Sequence, residues 1–294
     1  MTTPPPVDVQ LCVVPYDSAL LDTRMGAGPR HLVAGGLPER LTTRGHDVRI
    51  SEIEPPDGEL RAEIGIAFAL NRRLSSTVAA ATARGALPIT LAGNCNTAVG
   101  TIAGAGAIGA GILWFDAHGD FNTPETTIGG YLDGMALAMV TGRCWAQMTA
   151  RVPGFSAIPE ENVILVGGGD LDPFEAEQLA ESTVVHLAAA DAVSRIVRCI
   201  ETLSRRVARL YVHVDLDVLD ASEGLVNAYS GGPGLPLADL LQCIDVAASR
   251  IPLTAAALTA YDPRFDRTGS VCTAAIAVAE SMTALATHAP PRLR

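Results

Sequence analysis

The sequence predicts an α/β protein built on a mostly parallel sheet. Short runs rich in Val, Ile and Leu alternate with longer Ala-rich segments along nearly the whole chain, the pattern of repeated βα units. The two longest Gly- and Pro-rich loops, 119–134 and 219–236, each follow the carboxyl end of an apolar run, and ligands bind at that edge of open parallel sheets. Composition agrees: 48% of residues are hydrophobic but only 4% aromatic, so the core is packed from small aliphatic side chains that let helices lie close on a sheet.

In chain order the expected strands are Val9–Val14, Val48–Ile53, Ile89–Leu91, Ile112–Phe115, Val163–Val166, Val184–Leu187, Leu210–Val214 and Leu253–Leu258. Helices are expected at Glu59–Arg84, Thr97–Ala107, Gly134–Thr149, Pro173–Ala180, Ala189–Ala208, Leu237–Ser249 and Ser270–Ala286. Gly85 follows the first of these and Pro236 precedes the sixth, matching the preference for Pro at helix starts and Gly at helix stops. Eight such units fit an open sheet or a closed barrel equally well. No linker or internal repeat divides the 294 residues, so one domain spanning 1–294 is expected.

The formal charge of −11 comes without any basic block, which argues against nucleic-acid and anionic-membrane partners and favours cations. Six cysteines include no C-x-x-C pair, consistent with a reducing compartment. The start MTTPPPVDVQ lacks a basic segment followed by an apolar run, and polar residues, Gly or Pro interrupt each Ala-rich stretch. A cytoplasmic protein is expected.

The chemistry concentrates in Asp116, His118 and Asp120, within FDAHGDFN, directly after a strand. Their alternating spacing can turn all three side chains toward one point. Asp215 and Asp217 occupy the same position after another strand, and Cys95, the Asp170–Asp172 pair and Asp262 follow three more. A single Asp after a strand is commonly a turn or helix-cap residue. Four converging carboxylates without Lys or Arg beside them repel one another unless cations intervene. Hard O and N donors from two strand ends suit two divalent ions about 3.5–4 Å apart that activate a shared water, with Mn²⁺ or Mg²⁺ a better match than Zn²⁺. His213 reads as a core histidine able to hydrogen-bond a ligand carboxylate from behind. His31 and His186 are ambiguous, and His46 and His288 read as surface residues.

These segments resemble the arginase and agmatinase family of metal-dependent ureohydrolases: DAHGDFN at 116–122 is similar to its D-A-H-x-D-x-N signature, and HVDLDVLD at 213–220 to its D-x-D-x-x-D segment. Weaker likenesses run from PYD at 15–17 and RMGAGP at 24–29 to YDPRFD at 261–266. The resemblance implies a three-layer α/β/α fold around an eight-stranded parallel sheet, two Mn²⁺ ions, and hydrolysis at a guanidinium carbon with expulsion of an amine. It implies that Asp116 and Asp215 bridge the ions, that Asp120 completes one coordination shell, and that His118 with Asp217 completes the other. Asn122 matches a substrate-carboxylate contact, and Asp172, with Glu175 behind it, the region near an α-amino group. Members of the family are often trimers or hexamers, so a homo-oligomer is compatible with the resemblance.

Three positions depart from the family pattern. AGNC at 92–95 places Cys95 where a metal-binding histidine is usual, and a soft thiolate is a poor partner for Mn²⁺. GGYLDGM at 129–135 places Asp133 where a histidine lies near the substrate. Asp133 is a candidate for binding a proton of the departing nitrogen or a cationic substrate, with an ordinary carboxyl pKa near 4 unless metal or burial raises it. TAYDP at 259–263 places Ala260 where a glutamate normally holds the guanidinium, so L-arginine is a doubtful substrate unless Tyr261 or Asp262 compensates. Within the family, Cys95, GDFNTPETT at 119–127 and the following GYL resemble the Nω-hydroxy-L-arginine hydrolase branch of D-cycloserine biosynthesis.

The resulting expectation is a dinuclear-metal hydrolase of C–N bonds in a small cationic modified guanidine or amidine. Its ligands are Cys95, Asp116, His118, Asp120, Asp215 and Asp217; Asp120 and Asp133 are its candidate catalytic groups. Two alternatives are an amidase using Cys95 as nucleophile and His118 as base, and a non-catalytic binder of metal or a cationic metabolite.

Overall fold

Eight parallel strands form one sheet in the computed structural model, which describes residues 6–56 and 62–286. They are β1 (Asp8–Val14), β2 (Asp47–Glu52), β3 (Leu87–Ala92), β4 (Ala110–Asp116), β5 (Val163–Gly167), β6 (Val185–Leu187), β7 (Arg209–Asp215) and β8 (Leu253–Thr259). Their spatial order is β2–β1–β3–β8–β7–β4–β5–β6, with every neighbouring pair parallel. Among the described residues β2 and β6 remain edges, so the sheet is open and the barrel alternative is excluded.

The strands are apolar on both faces because helices cover both. Leu11 and Val13 of β1, Leu113 and Phe115 of β4, and Val212 and Val214 of β7 pack with Leu32, Ile196, Leu240 and Val278. The alternate residues Cys12, Trp114 and Tyr211 pack on the other side with Phe68, Val99 and Leu137. This two-residue period makes three layers. Small residues bring the outer helices together: a Cβ on Gly100, in helix Ala98–Ala105, would lie 2.6 Å from the Asn71 carbonyl oxygen of helix Glu63–Ala83.

Several element boundaries differ from expectation. The helix expected at Gly134–Thr149 is divided into Ala136–Val140 and Ala146–Thr149, because Gly142 and Trp145 adopt φ values of 85° and 53° that an α-helix cannot accommodate. The segment expected as Ala189–Ala208 begins with a 3₁₀ turn and is α-helical only over Ala192–Leu203. Residues 59–61, the expected start of the long helix, and His288 lie outside the described residues. Gly28–Ala34 and Leu37–Thr43 are additional helices, each carrying Pro in its first turn and each too short for clear periodicity. His46 is buried, not a surface residue, and its Nδ1 accepts from Val7 N at 3.2 Å. No described helix is long and apolar enough to cross a membrane.

Candidate metal centre

The adjacent strands β3, β8, β7 and β4 bring Cys95, Ala260, Asp215 and Asp116 to the same carboxyl edge. Local hydrogen bonds turn the chain sharply there. Asp116 Oδ1 accepts from His118 N at 2.8 Å, and Asp215 Oδ1 accepts from Asp217 N at 2.9 Å, so each motif carboxylate also closes its own turn. Trp114 Nε1 donates to Asp116 Oδ2 at 3.0 Å, while Ala117 N donates to Asp217 Oδ1 at 3.2 Å and joins the two motifs. Gly167, at φ 111°, lets β5 approach Asp116 where a Cβ would collide with its carbonyl.

Two groups of potential ligands result, and Asp116 belongs to both. Atoms of Cys95, Asp116 and Asp215 lie within 4.8 Å of one another, as do atoms of Asp116, His118 and Asp217. Asp120 lies outside these two groups, but it is buried and its Oδ2 has no hydrogen-bond partner. Burial, then mutual repulsion, raises the carboxyl pKa values of Asp120 and Asp215 well above the ordinary range; burial also raises Asp116, with His118 opposing the shift. Burial disfavours a charged His118, but its hydrogen bond to Asp116 and the charges of Asp217, Asp116 and Asp170 outweigh this and raise it to about 10. The surroundings of His118 therefore favour positive charge, as a bound cation would supply. The shared Asp116, the orphaned Asp120 oxygen and the oxygen-rich donor set fit a binuclear centre of hard divalent ions.

Cys95 is the poorest fit. Burial, then Asp215, Asp133, Asp120 and Asp116, hold its thiol well above the usual pKa. Its Sγ donates to Asp215 Oδ2 at 3.0 Å and lies 3.1 Å from Thr259 Oγ1. This sulfur's hydrogen-bond partners are not imidazoles, which argues against the Cys-nucleophile alternative. Behind it runs a buried chain that sequence spacing did not identify: Thr259 Oγ1 lies 3.2 Å from His213 Nε2, and His213 Nδ1 lies 2.8 Å from the Tyr211 hydroxyl. Trp114 stacks on His213 at 3.6 Å between ring centroids. His213 is a buried core histidine, as the sequence predicts, and it reaches Asp215 through Thr259 and Cys95 rather than by direct contact. Elsewhere, His31 packs against Tyr261 and His186 Nε2 lies 2.9 Å from Gly167 O.

A cavity of about 300 Å³ opens above the centre. Its lining includes Asp120, Asp133, Asp170, Asp172, Glu175, Asp215 and Asp217 but neither Lys nor Arg, so it attracts cations. Asp133 accepts from Asn96 N and Asn94 Nδ2, each at 2.9 Å. Burial raises its carboxyl to about 7 against those donors, the burial condition under which the sequence reading allows a departure from the ordinary value near 4. Asn122 Nδ2 donates to Asp172 Oδ2 at 3.2 Å. Asp172 and Glu175 form a reciprocal cap on helix Pro173–Glu181, and Glu175 Oε1 also accepts from Phe121 N at 2.8 Å, tying the helix to the Asp120 loop.

Ala260 lines the same cavity with a methyl group and takes an unusual φ of 62°. Its neighbours do not compensate: the Tyr261 hydroxyl donates to Asp266 at 2.9 Å, and Asp262 pairs with Arg264 at 2.6 Å. Tyr131 and Tyr229 complete much of the opposite chemical character of the lining. Two of only five tyrosines in the chain occur in the two Gly-rich ligand-edge loops, the signal by which sequence reading could have singled them out.

The arginase family model matches residues 7–285. The chain belongs to the arginase family. It is 29% identical to an arginase of Bacillus caldovelox over 93% of this chain and 97% of that protein. It is 28% identical to an arginase of Bacillus subtilis strain 168 over 79% and 81%, respectively. A native structure of the Bacillus caldovelox arginase superposes with a TM-score of 0.86 and 25% identity, covering 94% of this chain and 98% of that one. Membership and the two ligand groups together support metal-dependent hydrolysis of a C–N bond in a small guanidine or amidine.

Proposed function

We propose that this arginase-family protein uses two Mn²⁺ ions to hydrolyse a modified, cationic guanidine or amidine, with an Nω-hydroxyarginine-like compound as the preferred substrate. The observation carrying the metal-dependent reading is Asp116's place in both donor groups. Cys95, Asp116, His118, Asp120, Asp215 and Asp217 are the proposed ligands. The bound ions would supply charge stabilisation and activation of water.

The remaining work falls to the protein. Asp120 lines the cavity and carries an otherwise unpartnered buried oxygen, consistent with a combined ligand and catalytic role. Asp133, raised to about 7 by burial, can give a proton from its carboxyl to the departing nitrogen near neutrality. Asn122 and Asp172 are proposed to orient the polar end of the substrate, with Glu175 holding their loop against the helix. Ala260 offers no carboxylate to a guanidinium, which supports a modified substrate over L-arginine.

The test is product release from Nω-hydroxyarginine, L-arginine, simple amidines and ureido analogues, with metal content measured alongside. Expected are about two ions per chain, chelator-sensitive release of hydroxyurea from Nω-hydroxyarginine, and slower release of urea from arginine. Full metal occupancy without turnover of any of these would overturn the hydrolase reading and favour a cationic-metabolite binder, the role to which Ala260 lends some support. Undiminished turnover after metal removal would also overturn it.

A further inference from the structure

The unassigned wall of the cavity is aromatic. Tyr131 comes from loop 119–134 and Tyr229 from loop 219–236, yet their ring centroids lie 6.2 Å apart with planes inclined by 32°. The His118 ring meets Tyr229 at 6.3 Å and 86°, placing this wall beside the metal centre.

Tyr131 is anchored through its hydroxyl and Tyr229 through its backbone, with Tyr229 49% exposed at the cavity mouth. The Tyr131 hydroxyl donates to buried Asp17 at 3.3 Å and accepts from Asn94 Nδ2 at 3.4 Å. Arg24 is committed to the same Asp17, with Nη2 2.9 Å from its Oδ1. Tyr229 N donates to Asn227 Oδ1 at 2.8 Å; Asn227 Nδ2 in turn donates to Asp217 at 3.3 Å and to Ala260 O at 2.8 Å. A single buried asparagine thus ties Tyr229 to a proposed ligand and to the residue whose side chain supplies only a methyl group.

We propose that Tyr131 and Tyr229 form a cation–π wall that selects a flat, delocalised amidinium or guanidinium end of the substrate. This rests on the amidine-hydrolase reading and deepens it. The cavity's carboxylates attract any cation, whereas aromatic faces favour a broad, weakly hydrated planar cation over a compact ammonium or a neutral urea. The wall supplies selectivity without the carboxylate that Ala260 lacks.

Calorimetry on metal-loaded wild type, Tyr229→Phe and Tyr229→Leu tests this, using an alkylguanidinium and its isosteric alkylurea as probes. Tyr229→Leu is expected to weaken the guanidinium by about 5–30-fold while changing the urea by less than about 2-fold, and Tyr229→Phe to retain most guanidinium affinity. Equal loss for both probes, no loss, or Phe behaving like Leu would overturn the wall. If Tyr229→Leu fails to fold or retain metal, Tyr131→Leu carries the same prediction. Wild-type turnover of guanidines with an overturned wall removes this inference alone; a loaded wild type that neither binds nor hydrolyses them removes both.

Discussion

Replacing Asp120 by Asn should affect the metal-free and metal-loaded proteins in opposite directions. In the metal-free chain Asp120 is buried, its Oδ2 has no partner, and Asp116, Asp133, Asp215 and Glu175 all disfavour its charge. Asn keeps a polar atom at that position, so the gain comes from removing the charge. Burying that charge costs more than the about 1–3 kcal/mol of a neutral unsatisfied group, by an excess of similar size, about 1–3 kcal/mol. Unfolding entropy scales with length, so a chain of this size shifts by about 2 °C per kcal/mol. Asp120→Asn should therefore raise the midpoint in chelator by about 2–6 °C, on that scaling. The same change removes a proposed ligand, so the further rise on adding Mn²⁺ should shrink; a tenfold loss of affinity under saturating metal removes about 1.4 kcal/mol of that increment. Thermal unfolding of both proteins, with chelator and across a Mn²⁺ titration, reads both effects. A lower metal-free midpoint together with an undiminished Mn²⁺ increment would refute the reasoning.

Asp133→Asn should reduce kcat by about 10²–10⁴-fold without changing metal content, in the range of lost acid–base catalysis. Because burial raises Asp133 to about 7, an acid role also makes wild-type kcat fall as pH rises above that value, and the pH profile of the variant should lose this limb. Thr259→Val removes the link between His213 Nε2 and Cys95 Sγ and should cost about 1–3 kcal/mol for the buried group left unpaired, measured by denaturant unfolding. Burial opposes the charge of Glu280, but hydrogen bonds from Arg40 and Arg44 hold its carboxyl below the usual range. Its contribution is therefore complete above the unfolded Glu value of about 4.3 and is lost as pH falls through the lowered folded value. The stability gap between wild type and Glu280→Gln should close over that acidic window.

The sheet and much of the centre were legible because both follow from local spacing. Apolar runs located all eight strands, and D-x-H-x-D and D-x-D at two strand ends marked the converging acids, while the pairing of His118 with Asp217 that the structure shows came from the family resemblance. Periodicity could not reveal the left-handed residues that divide the helix at Gly142 and Trp145, since a single backbone angle leaves little compositional trace. The chain from Tyr211 through His213 and Thr259 to Cys95 joins three strands or their ends through tertiary contacts. Burial likewise depends on the assembled fold, and it separates the pKa of Asp133 from that of an ordinary aspartate.

The central claim is that acids from separate strand ends gather around two cations, with Asp116 shared between them. Anomalous diffraction at the manganese edge from crystals grown with Mn²⁺ tests it most directly. The account predicts two peaks flanking Asp116, one beside Asp215 and the other beside His118 and Asp217. Metal-replete crystals with no peak between Asp116 and Asp215, or with those carboxylates turned away from each other, would contradict it.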